Sequence, residues 1–230
     1  MSCIAIIPAR GGSKRIPRKN IKDFLGKPII AYSIQTALES GLFDEVMVST
    51  DDFEIADIAK KYGATVPFMR DAATADDHAT TAAVLSEVLQ NYTAQGKHYD
   101  IGCCIYPTAP LLTIASLQEA YQQLQTKNFA TVFPVLKYSY PIWRSLKIED
   151  DKIALNWPEH LNSRSQDLPA AYHDAGQFYW FKTDRFLDTH KLFTDNTGAI
   201  ELQELEVQDI DTETDWKLAE LKYKLINQLA

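Results

Sequence analysis

Cys3-Ile4-Ala5-Ile6-Ile7 runs straight into Pro8-Ala9-Arg10-Gly11-Gly12-Ser13-Lys14-Arg15-Ile16-Pro17-Arg18-Lys19-Asn20. The first five residues form a short unbroken apolar run, the pattern of a strand covered on both faces. The next thirteen are a loop that carries five cations around a glycine pair. From Ile30 the positions Ile34, Ala37 and Leu38 fall on one face of a helix, with Pro28 suited to its first turn and Gly41 to the residue past its end. Strand, loop and helix in that order open an α/β sheet.

The same alternation continues outward. Residues 45–49, 101–106, 130–135 and 177–181 read as buried strands, and 65–68 as a further strand-like run. Between them lie amphipathic helices: Ile55, Ile58, Ala59 and Tyr62 before Gly63; Val84, Leu85, Val88, Leu89 and Tyr92 before Gly96; and Leu117, Ala120, Tyr121 and Leu124. This order predicts a mainly parallel sheet with helices on both faces, and ligand loops at the carboxyl ends of its strands. From about 137 to 174 the periodicity dissolves into Pro, Tyr, Trp and charge, too long for a simple connection, and reads as an inserted lobe. The chain closes on a helix carrying Trp216, Leu218, Leu221, Leu225 and Leu229, entered through the capping-box pattern Thr212-Glu213-Thr214-Asp215. Residues 1–230 are expected to form one domain with that lobe inserted.

Composition narrows the function. The 23 Lys plus Arg against 31 Asp plus Glu leave a net charge of -8, so the overall field repels nucleic-acid backbones and anionic lipid. Cys3, Cys103 and Cys104 have no zinc or disulfide-framework spacing. No basic lead precedes the first apolar run, and no apolar stretch approaches a membrane span. A cytoplasmic location is the expectation.

Against this acidic background the basic loop stands out. Gly11 and Gly12 let backbone N–H groups come close to an anion, Ser13 adds a hydroxyl, and Arg10 with Lys14 offers charge-assisted bonds to phosphate oxygens. A nucleoside triphosphate suits it; a solvated basic loop is the alternative. Neither the P-loop pattern nor the dinucleotide G-x-G-x-x-G is present.

Residues 7–14, with Pro17, Lys19-Asn20 and Gly26-Lys27-Pro28, resemble the signature of the CMP-sialic acid synthetase family of cytidylyltransferases. The likeness extends over 23–33, Tyr106-Pro107-Thr108-Ala109-Pro110 and 172–180, and runs from about Ile4 to Asp215. It implies a Rossmann-like sheet of the nucleotide-diphospho-sugar transferase type. It also implies transfer of a cytidylyl group from CTP to a nonulosonic acid, with release of diphosphate, in the presence of Mg²⁺. The residues matching the family's triphosphate loop are Arg10, Gly11, Gly12, Ser13, Lys14 and Asn20. Arg70 and Thr81 match the cytosine contacts, and Asp77 belongs to the same shared stretch. Read without the resemblance, Thr80 or Thr81 caps the next helix.

Val207-Gln208-Asp209-Ile210-Asp211-Thr212 ends a strand-like run, and residues two apart on a strand share a face. Asp209 and Asp211 can then converge on one cation, and the resemblance assigns them a magnesium; with Arg10 and Lys14 they are the expected catalytic groups. The alternative is that Asp211 or Thr212 caps the last helix while Asp209 is solvated. Asp51 or Asp52 reads as a cap of the helix after the second strand.

The acceptor loop departs from the sialic acid pattern, with Tyr106 and Leu112 where Gln and Arg are usual. Two less polar handles suit a sugar with fewer hydroxyls, and this branch of the resemblance implies pseudaminic acid; N-acetylneuraminate, legionaminate and KDO are the alternatives. Arg164, His173 and Lys137 are candidates for the acceptor carboxylate, and Tyr138, Tyr140, Trp143, Tyr172 and Phe178 for its acetamido methyls, with Gln177 beside them. The lobe in this family swaps against a second subunit, which implies a homodimer. A non-catalytic nucleotide-binding module is the reading from another class.

Overall fold

The computed structural model describes residues 1–76 and 79–229. In chain order the strands are β1 (Cys3–Pro8), β2 (Asp23–Phe24), β3 (Lys27–Pro28), β4 (Glu45–Ser49), β5 (Ile101–Ile105), β6 (Thr131–Lys137), β7 (Leu146–Glu149), β8 (Lys152–Leu155), β9 (Tyr172–Asp174), β10 (Phe178–Lys182) and β11 (Thr197–Leu202). The helices are α1 (Ile30–Glu39), α2 (Phe53–Lys61), α3 (Ala72–Ala75), α4 (Thr81–Ala94), α5 (Ile114–Thr126), α6 (Thr183–Thr189) and α7 (Glu213–Ile226).

Seven strands form the central sheet in the order β11-β6-β10-β5-β1-β4, with β9 also on β6. β1, β4 and β5 run parallel, as do β6 and β11, while β10 lies antiparallel between β5 and β6. The apolar runs are continuous because both faces are covered. Ala5, Ile7, Cys103 and Ile105 share one core cluster with Ile34, Leu117 and Leu124, and Ile4, Ile6 and Cys104 share another with Leu85, Val88 and Leu89. Gly102 is required in β5, since a Cβ there would lie 2.2 Å from the Phe181 ring.

β9 and β10 both pair with β6, one on its carboxyl half and one on its amino half. Between them the chain bends at Gly176, whose φ is 64°, a value glycine adopts without strain. The bend turns the Gln177 carbonyl to the Tyr106 N–H at 2.8 Å and opens the sheet at the carboxyl end of β5.

Three local expectations change. Of residues 65–68 only Thr65 pairs, bridging Met47, because Pro67 has no N–H to extend the ladder. Pro28 belongs to β3: Leu25 and Gly26 both have positive φ and close a β2–β3 hairpin, leaving Ile29 as the cap of α1. On α7 the capping box forms as read, but Leu218, Leu221 and Leu225 face outward, and Leu229 lies exposed beyond the helix end. Of the expected stripe Trp216 does turn inward, joined by Ala219 and Tyr223, because Phe24 and Tyr32 offer an aromatic cluster with Phe24 5.6 Å from Trp216.

Residues 138–172 contain no buried side chain. Within them β7 and β8 pair only with each other, and Leu146, Ile148 and Ile153 are exposed. Trp143 packs against Trp157 and donates its ring N–H to the Pro169 carbonyl at 2.9 Å. No helix among the described residues is long and apolar enough to cross a membrane.

Candidate active site

The basic loop is fastened before any ligand arrives. The Asn20 amide donates to the Arg10 carbonyl at 2.9 Å, and the Gly11 N–H donates to Asp51 at 2.9 Å. Arg18 forks onto Asp52 at 2.5 and 3.0 Å and reaches Glu54 at 2.6 Å. Asp52 also caps α2, accepting from the Ile55 N–H at 3.0 Å. The Arg18 hydrogen bonds outweigh partial burial and hold the Asp52 carboxyl below its usual range. The Gly11 N–H, expected to face an anion, is therefore spent on Asp51, and Asn20 acts on the loop backbone.

Above this loop lies a cavity of ≈ 470 Å³. Arg10, Ser13, Lys14, Lys19 and Asn20 form its basic wall; Arg70, Thr81, Tyr106 and Val84 form the other. Arg70 is 7 % exposed, fixed by Nε to the Ser49 hydroxyl at 3.0 Å and by Nη2 to the Ser49 carbonyl at 2.5 Å. Burial lowers its pKa from the ordinary arginine value. Thr80, not Thr81, caps α4, accepting from the Ala83 N–H at 3.1 Å. That leaves the Thr81 hydroxyl beside the Tyr106 hydroxyl at 3.4 Å. Asp77 lies outside the described residues.

A second cavity, of ≈ 330 Å³, is lined by Lys137, Tyr138, His173, Asp174, Gln208 and Asp209. Lys222 from α7 ties down the segment beside it, donating to the carbonyls of Val207 at 2.6 Å and Glu204 at 2.9 Å. Asp209 and Asp211 are not on a strand, yet Ile210 is buried between them at 1 % exposure and fixes the chain's orientation there. Asp211 pairs with Arg15 at 2.7 Å and with Lys19 at 3.7 Å. Lys19 also donates to the Ile210 carbonyl at 2.7 Å. Lys19 lines the first cavity and Asp209 the second, so the contacts of Lys19 with Ile210 and Asp211 link the two linings through residues 209–211. Thr212, rather than Asp211, caps α7.

Asp209 is surface-accessible but sunk in the cleft, and burial, then the charge of Asp211, raises its pKa. A carboxylate pair under that strain is relieved by a cation. Among the described residues no group of three or more His, Cys, Asp or Glu is placed to hold a metal ion. Two carboxylates fit Mg²⁺, which takes one or two and completes its octahedron with water and phosphate oxygens.

Other expected residues lie elsewhere. Phe178 is fully buried on β10 in the core, because its strand position faces the helix layer. Gln177 is 2 % exposed and donates to the Glu206 carbonyl at 2.5 Å, so it tethers the segment leading to Asp209 instead of opening to a cavity. Leu112 is in the core, and Tyr106 lines the first cavity rather than the second. Arg164 sits in the 138–172 segment, exposed and paired with Asp167 at 2.7 Å, and lines neither cavity. Lys19 is the clearest functional candidate the sequence under-read: it was inside the basic loop, but its partner lies 191 residues away.

A family model described as Cytidylyltransferase matches residues 4–228. Pseudaminic acid cytidylyltransferase of Campylobacter jejuni subsp. jejuni serotype O:2 is 44% identical over 231 residues, covering 100% of both chains. CMP-N,N'-diacetyllegionaminic acid synthase of Legionella pneumophila is 32% identical, covering 100% of this chain and 99% of that one. Among solved structures, a CMP:2-keto-3-deoxy-manno-octonic acid synthetase complexed with CTP shares the fold, with TM-score 0.72 at 18% identity over 100% of both chains.

Proposed function

Since the chain belongs to the cytidylyltransferase family, we propose that it activates pseudaminic acid, converting CTP and the free sugar acid into CMP-pseudaminic acid and diphosphate. What supports this is that Lys19, on the wall of the larger cavity, contacts Ile210 and Asp211, next to Asp209 on the wall of the smaller one. A triphosphate and an anionic sugar need adjoining sites with the α-phosphorus at the junction.

In this reading CTP lies in the larger cavity, its phosphates along Arg10, Ser13, Lys14 and Lys19 and its base toward Arg70 and Thr81. The acceptor occupies the smaller cavity, with its carboxylate toward Lys137 and His173. The anomeric oxygen forms a bond to the α-phosphorus as the bond to the β-bridging oxygen breaks, and diphosphate leaves. No covalent enzyme intermediate is needed. The protein's part is alignment and neutralisation of the charge that builds on phosphate oxygens. Asp209 and Asp211 would hold Mg²⁺, which when bound neutralises triphosphate charge and lowers the pKa of the attacking hydroxyl. Arg15 and Lys19 keep Asp211 turned toward the junction.

The whole chain is read as one cytidylyltransferase domain, and residues 137–174 as its dimerisation lobe. A two-stranded hairpin is at best marginal alone in water, and β7–β8 presents Leu146, Ile148 and Ile153 to solvent, which supports a partner subunit there. Cytoplasmic biosynthesis is the location this reading gives, from its nucleotide and free-sugar substrates.

Diphosphate release with Mg²⁺ and CTP, given pseudaminic acid, legionaminic acid, N-acetylneuraminic acid and KDO in parallel and UTP as nucleotide control, tests this. Selective turnover of pseudaminic acid is expected. Preference for another acceptor overturns the sugar, and CTP binding with no turnover of any acceptor overturns catalysis.

A further inference from the structure

Among the described residues three basic side chains line the smaller cavity, and they differ in what they offer an anion. Lys137 is exposed at the end of β6, on a flexible four-carbon stem. His173 Nδ1 lies 2.9 Å from the Asp174 carbonyl. A carbonyl only accepts, so Nδ1 carries a proton, and the ring has a second N–H for an anion only when it is charged. Lys222 enters from α7 with its side chain 18% exposed. Its ammonium is held in place, donating to the carbonyls of Val207 at 2.6 Å and Glu204 at 2.9 Å.

An ammonium has three protons to donate. Two are committed to carbonyls, which fix the nitrogen without cancelling its charge, and one remains for the cavity. The carboxylates of this wall leave that charge in place. Glu204 Oε1 stands 4.0 Å from the ammonium, beyond hydrogen-bond reach, on a side chain 68% exposed. Asp174 accepts from the Tyr179 hydroxyl at 2.7 Å and from the Gly176 N–H at 2.8 Å, one bond on each oxygen. Asp209 is the residue assigned to Mg²⁺. A fixed donor of this kind costs a bound anion little ordering, which is what a mobile surface lysine cannot offer.

Resting on the acceptor reading of this cavity, we propose that Lys222 binds the carboxylate of the sugar acid through its third N–H and sets the preference of the cavity for an acid. The same side chain then serves two ends: it ties down the segment leading to Asp209, and it receives the substrate beside it.

The test is steady-state diphosphate release by the full chain with Mg²⁺, CTP and pseudaminic acid, for the wild type, Lys222→Gln and Lys222→Arg, with the 1-carboxamide of the sugar acid as a competitive inhibitor. Lys222→Gln keeps an N–H for one of the two carbonyls but loses the charge. Its KM for the sugar acid should rise about tenfold or more, while its KM for CTP and the Mg²⁺-dependent rise in Tm stay close to the wild type. Lys222→Arg, still charged, should recover part of the loss. The uncharged carboxamide should inhibit Lys222→Gln almost as well as the wild type. An unchanged KM for the sugar acid overturns the proposal. So does an equal loss for acid and carboxamide with a weakened Mg²⁺ effect, which makes Lys222 a tie for the backbone and nothing more. Should Lys222→Gln not fold, Lys222→Met, which keeps the apolar stem, is read in the same way. A wild type that turns over no sugar acid overturns the acceptor reading of the cavity itself, and this role with it.

Discussion

Gly11 and Gly12 are neighbours in the same loop, yet their surroundings predict opposite responses to one added methyl. A Cβ on Gly11 would lie 2.7 Å from Asp52 Oδ2 and 3.0 Å from Asp52 Cβ, whereas a Cβ on Gly12 meets nothing within 4 Å. The contact at Gly11 cannot be relieved by swinging the carboxylate, because Arg18 holds it at 2.5 and 3.0 Å and the Ile55 N–H at 3.0 Å. Gly11→Ala must therefore displace the loop or break that clamp, at about the 1–3 kcal/mol typical of overpacking. For a chain of this size each kcal/mol is about 2–4 °C in Tm. Thermal unfolding without ligand should show Gly12→Ala near the wild type and Gly11→Ala lowered by several degrees. Asp52→Ala alone loses a cap and an ion pair, but in the Gly11→Ala background it also removes the clashing oxygen, so the double variant should be less destabilised than the sum. Equal Tm values for the two alanine variants, or strict additivity in the double variant, would refute the steric reasoning.

Mg²⁺ is expected to raise the Tm, and Asp209→Asn should abolish that rise and reduce turnover, without lowering the stability of the metal-free chain at neutral pH. The sign follows from its raised folded pKa: the folded state binds that proton more tightly than the unfolded one, so ionising Asp209 costs stability as pH rises through that window, and the amide removes the cost. An unchanged Mg²⁺ shift in Tm would count against the site. Glu45 behaves oppositely. Burial would raise its pKa, but hydrogen bonds from Tyr92 at 2.6 Å, Tyr99 at 2.5 Å and Thr65 at 2.7 Å prevail and lower it. Its contribution is present above the ordinary carboxylate pKa and lost as pH falls through the folded value; Glu45→Gln should cost about 1–3 kcal/mol at neutral pH and flatten the acid limb of a Tm–pH curve, and a parallel curve would rule this out. Ile148→Lys with Ile153→Lys should convert a dimer into a folded monomer in sedimentation equilibrium; a wild type that is already monomeric at micromolar concentration removes the role given to the lobe.

What the sequence alone determined was local. The apolar run 4–7, the cation-rich loop after it, and glycines at 41, 63 and 96, each at positive φ past a helix end, rest on neighbours a few residues apart, so propensity and period suffice to read them. The cap at Thr212 is local in the same way. The tertiary structure decided what depends on which surfaces meet. Residues 65–68 look like a strand until Pro67 removes the N–H a neighbour would need. The leucines of α7 fit a helical stripe, but an aromatic cluster around Phe24 buries the opposite face. Phe178 and Gln177 share a motif with His173, yet the bend at Gly176 sends the first two into the interior and leaves His173 on the second cavity. Lys19 with Asp211, and Thr81 with Tyr106, are brought together by packing that no spacing encodes. Local chemistry supplied the parts, and long-range burial chose which of them face each other.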